Sequence, residues 1–84
     1  MLYRHEIPKP IQKSIAKLDQ KSQFRILRAL DSLTRDPFCG KKLTGNLEGA
    51  WSIRAWPYRI IYIIDKSELI VVVLEVGHRQ SVYK

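Results

Sequence analysis

Arg54 and Arg59, set on either side of Pro57, and the run His78-Arg79 followed by Tyr83 are the residues of this sequence best suited to chemistry. A guanidinium offers phosphate oxygens a planar fork of donors. It also neutralises charge that develops on a phosphate in a transition state. Histidine is the usual acid or base near neutral pH. A tyrosine can stack on a base or donate a hydrogen bond to it. Together these groups suit cleavage of a phosphodiester. Singly they do not specify it: His78 equally suits a surface or structural role, and Tyr83 equally suits a frayed end.

The segments around Pro57 bring the first two arginines together. Trp51, Ile53 and Ala55 alternate with Ser52, Arg54 and Trp56, and Tyr58 to Ile64 is rich in Ile and Tyr. These read as two strands joined at Pro57. A two-residue loop at Trp56-Pro57 and a four-residue loop from Ala55 to Tyr58 give the same register. The shorter loop is the less favoured, because primed turns want Gly or Asn where Trp56 stands. In either case Arg54 lies opposite Arg59 and Ser52 opposite Ile61. Trp51, Ile53, Ile60 and Tyr62 take the other face, the one expected to carry the helices. Like charges directly opposite destabilise a sheet, so the pair is expected to hold an anion. Two solvated arginines that splay apart satisfy the same pattern.

The remaining elements follow from periodicity. Leu2 to Ile7, bounded by Pro8, reads as a first strand. Pro10 suits the first turn of a helix, whose face is Ile11, Ile15 and Leu18. Asp19 suits the cap of a second helix, over Gln20 to Arg35, with Ile26, Leu27, Leu30 and Leu33 as its apolar stripe. Arg25, Arg28 and Arg35 lie mostly off that stripe. Asp36-Pro37 and Gly40 end it, and Lys41 to Gly49 reads as a loop. Leu69 to Val76 reads as a central strand buried on both faces and ended by Gly77. The expected fold is α+β: an N-terminal strand, an antiparallel helical hairpin, then a three-stranded antiparallel meander with the helices on one sheet face.

With 84 residues, the chain suits a single domain over 1–84. It carries 15 Lys and Arg against 8 Asp and Glu, a formal charge of +7, which favours a polyanionic partner. Cys39 is the only cysteine, so an internal disulfide is excluded, and no Cys/His set has zinc spacing. The run Leu69 to Leu74 is too short to cross a bilayer, and Met1 to Pro10 lacks a signal peptide's apolar core. A cytoplasmic protein with no membrane partner is expected.

Lys42-Leu43-Thr44-Gly45, Trp51-Ser52-Ile53-Arg54, Tyr58-Arg59-Ile60-Ile61-Tyr62, Val76-Gly77-His78-Arg79 and Val82-Tyr83, in this order and at this spacing, resemble the RelE/ParE superfamily of toxins. The resemblance spans essentially the whole chain. It implies a RelE-like fold and an endoribonuclease that cleaves messenger RNA in the ribosomal A site, with the ribosome and its 16S RNA as partner, and stops translation. The substrate's own 2′-hydroxyl attacks the adjacent phosphate, so neither metal nor cofactor is needed. The matching positions are Arg54 and Arg59 for the phosphate, Arg79 with His78 for the leaving oxygen, and Tyr83 for a nucleotide. Lys41, Lys42 and Ser52 are the further RNA-binding positions. The best-known members carry a lysine where Ser52 stands, which leaves Glu48 with His78, or Lys41 or Lys42, as the base. The resemblance also implies a RelB-type antitoxin. A ParE-like inhibitor of DNA gyrase is the alternative on the same fold. A non-catalytic module that binds RNA or ribosome is another.

Overall fold

A computed structural model describes residues 2–78. The chain runs β1 (Arg4–Glu6), α1 (Lys9–Ala16), α2 (Gln20–Arg35), β2 (Lys41–Lys42), β3 (Trp51–Ala55), β4 (Tyr58–Asp65) and β5 (Ile70–His78), with single 3₁₀ turns at Pro37–Cys39 and Gly45–Leu47. The sheet order is β1-β5-β4-β3-β2. β3, β4 and β5 form the expected antiparallel meander. β1 joins its far edge, parallel to β5.

Both helices lie on one face. Pro10 sits in the first turn of α1, where a missing N–H costs nothing. Ile11, Ile15 and Leu18 pack on the core. In α2 the buried stripe is Ile26, Ala29, Leu30 and Leu33, the i, i+3, i+4, i+7 set of one helical face. Leu27, expected in that stripe, lies about a quarter-turn away and is 56% exposed. Against the stripe stand Ala55, Ile60, Tyr62, Val71 and Val73. Burying each such large side chain stabilises the fold by about 1.5–3 kcal/mol.

The sheet departs from expectation in four places. Lys41–Lys42, expected in a loop, is a strand paired with Ser52 and Trp51 of β3. β5 is buried on the helix side only: Leu74 is 46% exposed, because no helix covers the second face. An irregularity between Ile61 and Tyr62 offsets the β4–β5 pairing there. β5 also continues through Gly77 to His78.

The second face is partly roofed. Leu43 and Ala50, tied by a 3.0 Å hydrogen bond from the Leu43 amide to the Ala50 carbonyl, pack with Ile61 and Ile63. This small cluster closes one end of the face and leaves the β3–β4 hairpin end open. Among the described residues no helix is long and apolar enough to cross a membrane.

Candidate functional site

The β3–β4 hairpin sets the site. Its register pairs Arg54 with Arg59, Ser52 with Ile61 and Ile53 with Ile60, as the alternation requires. The loop is the two-residue one, Trp56-Pro57, joined by a cis peptide bond. Neither loop residue has a positive φ, so the Gly or Asn of a primed turn is not needed there. Paired residues share a sheet face, so both guanidinium groups emerge on the face away from the helices. Arg59 is half-buried and Arg54 exposed. On its other side Arg59 pairs with Gly77, which adds no side chain to crowd it.

Lys41 completes the cluster. It pairs with Ser52 and lines a depression of about 270 Å³ together with Cys39, Gly40, Ser52, Arg54 and Arg59. A second depression, about 290 Å³, shares Lys41 and Arg59 and adds Lys42, Leu43, Thr44 and Leu47. No Asp or Glu lines either one among the described residues. Lys41, Arg54 and Arg59, with no Asp or Glu lining their depression among the described residues, raise the local potential for an anion.

A buried strut places Lys41. The Tyr62 hydroxyl donates a 2.7 Å hydrogen bond to the Pro37 carbonyl and so pins the turn that feeds β2. Burial, reinforced by the nearby Cys39, pushes the Tyr62 hydroxyl up to about 12, against a smaller opposing effect of the Gly40 backbone. It therefore stays protonated as a donor. A Cβ on Gly40 would collide with the Tyr62 hydroxyl and the Ser52 carbonyl, so this close approach requires glycine. Cys39 lines the depression, but burial, and then Asp36, raises its thiol pKa. It is no ready thiolate nucleophile.

The other expected positions divide. Ser52 is 2% exposed, so it forms the floor of the depression and cannot itself reach RNA. Lys42 pairs with Trp51 and, while its residue borders the 290 Å³ depression, its Nζ lies 5.8 Å from the Trp51 ring centroid. His78 pairs with Tyr58, whose ring it meets edge-on at 5.9 Å. Strand alternation therefore sends it to the face opposite the arginines, and it is not gathered with them. Glu48 is exposed beyond the Gly45–Leu47 turn and lines neither depression. Arg79 and Tyr83 lie outside the described residues. The sequence reading did not foresee that Arg25, on the outer side of α2, reaches the hairpin, where its Nη1 donates 3.0 Å to the Trp56 carbonyl. Its signal was a position off the apolar stripe, which does not say what it reaches.

The sheet thus has one face covered by two helices and another, open at the hairpin end, that carries Arg54, Arg59 and Lys41. The family described as the ParE toxin of the type II toxin–antitoxin system parDE matches residues 5–83, and the chain belongs to this RelE/ParE family of toxins. It is 40% identical to toxin RelG of Mycobacterium tuberculosis over 57 residues, 67% of this chain and just under two thirds, 66%, of that protein. The fold superposes with a TM-score of 0.84 on a chain of the toxin–antitoxin complex RelBE2 of M. tuberculosis, at 30% identity, covering 94% of this chain and all (100%) of that one. The archaeal RelE–RelB complex of Pyrococcus horikoshii gives 0.79 at 25% identity, covering 96% and 99%.

Proposed function

We propose that this toxin is a ribosome-dependent endoribonuclease that cleaves messenger RNA in the A site. The observation that carries the reading is the Arg54–Arg59 pair, joined by Lys41 in one depression that no Asp or Glu lines among the described residues. In the reaction the 2′-hydroxyl of the nucleotide attacks its own 3′-phosphate. The P–O5′ bond breaks, leaving a 2′,3′-cyclic phosphate on one fragment and a 5′-hydroxyl on the other. Arg54 and Arg59 hold the phosphate and neutralise the charge that builds on its oxygens. Lys41, rather than Lys42, is the amine that meets the attacking hydroxyl. Arg79 assists the leaving oxygen, and Tyr83 orients a nucleotide, as the resemblance implies. With so few acid–base groups, much of the acceleration comes from alignment of the messenger by the ribosome. A RelB-type antitoxin covers the basic face, and the +7 charge suits an acidic partner.

Inhibition of DNA gyrase is the second reading, favoured by the match to the ParE toxin family. Primer extension on a translated messenger in a cell-free system separates the two. The nuclease reading expects discrete cuts at A-site codons that require ribosomes and a 2′-hydroxyl at the cut position. Intact messenger together with inhibited DNA supercoiling would replace it with the gyrase reading.

A further inference from the structure

A third depression, about 350 Å³, lies between α2 and β3, lined by Arg25, Arg28, Ile53, Arg54 and Trp56 with small residues between them. Ile53 and Arg54 also wall the 270 Å³ depression of the phosphate site, so the two adjoin at the outer edge of β3. The short β2 allows this: it pairs only with Trp51 and Ser52 and leaves the edge beyond them uncovered. No Asp or Glu among the described residues lines the groove. Trp56 is 54% exposed at its mouth. The bond from Arg25 to the Trp56 carbonyl holds the hairpin tip beside α2. The Arg28 guanidinium lies 5.8 Å from the Phe24 ring centroid.

An exposed indole flanked by guanidinium groups is the chemistry of a single-stranded nucleic-acid path, where bases stack on aromatic rings and cations track the phosphates. Three arginines line the groove beside Ile53, Ala29, Ala55 and Trp56, and that density of positive charge suits a polyanion with stacking bases better than an amphipathic peptide. We infer that this groove is a second nucleotide subsite: the RNA nucleotide next to the one on Arg54 and Arg59 stacks its base on Trp56, with its phosphate between Arg28 and Arg54. The inference rests on the RNA reading above and extends the site from one phosphate to two.

The test is fluorescence-anisotropy binding of the full chain to a labelled 2′-O-methyl RNA hexamer, which it cannot cleave, over a salt series. Trp56→Ala should weaken binding by about tenfold with an unchanged salt slope, and Trp56→Phe should keep most of the affinity. Arg28→Ala should reduce the slope by about 0.7, the loss of one single-strand phosphate contact. Both side chains are exposed, so folding is preserved. Wild-type affinity in Trp56→Ala, equal losses in the Ala and Phe variants, or no binding by the wild type at low salt would overturn the subsite. So would a hexaglutamate peptide whose binding, unlike that of RNA, depends on Trp56, which would make the groove a protein-docking site. Ribosome-dependent cleavage by wild type and Arg59→Ala tests the nuclease reading separately. Its failure alongside Trp56-dependent RNA binding would remove the reaction and leave the subsite.

Discussion

The two faces of the sheet come from the same strands and do opposite work. On the helix side Ile60, Tyr62, Val71 and Val73 are at most 0% exposed and meet Ile26, Leu30 and Leu33 of α2. One residue along the same strands, Arg54 and Arg59 face each other across the hairpin with Lys41 beside them. The first face gains stability by removing apolar surface from water. The second gives some up, since like charges directly opposite repel. A strand period of two makes this division sharp: a shift of one residue would move every side chain to the wrong face.

The largest expected effects lie at the two ends of this contrast. Leu30→Ala, on the packed side, should cost about 2–5 kcal/mol in chemical denaturation, with cleavage by the folded fraction retained. Arg59→Ala should do the reverse. Ribosome-dependent cleavage should fall by about a hundredfold or more, the usual effect of removing one partner of transition-state charge. Its unfolding midpoint should move far less than that of Leu30→Ala.

A smaller effect tests the strut between the faces. The Tyr62 hydroxyl is raised from 10.0 to about 12 in the folded chain. Its contribution is therefore complete below pH 10 and is lost as pH climbs toward 12. Tyr62→Phe removes this dependence. It should cost about 1–2 kcal/mol at neutral pH, the effect of losing the bond to the Pro37 carbonyl. The gap between wild type and variant should then close between about pH 10 and 12. A constant gap across that range would show that Tyr62 does not act through its protonated hydroxyl.

The hairpin was legible in the sequence because Pro57 and the alternation on either side give one register for a two-residue and a four-residue loop alike; a three- or five-residue loop would have changed it. The helices were legible from their apolar period and from Pro10 and Asp19 at their starts, apart from Leu27, whose type fits the stripe although its angle does not. β2 was not legible. Two lysines carry no periodic signal, and their pairing depends on Tyr62 reaching Pro37 from across the fold. The face taken by His78 was also hidden, because it follows from the β4–β5 register, which includes the irregularity at Ile61/Tyr62. Ser52 was read as able to touch RNA, and only the packing around it shows that it is floor. The groove at Trp56 arises from contact between α2 and the hairpin tip, which neither segment encodes alone.

The most direct test uses Arg54→Gln, at the exposed member of the pair, taking variant and wild type from parallel preparations through denaturant unfolding and ribosome-dependent cleavage. The repulsion across the hairpin is relieved and one phosphate ligand is lost. The account therefore predicts an unfolding free energy equal to wild type or higher by up to about 1 kcal/mol, with cleavage reduced tenfold or more (about 1.4 kcal/mol of transition-state stabilisation). A clear loss of stability with cleavage unchanged would contradict it and place Arg54 among the residues that hold the fold together.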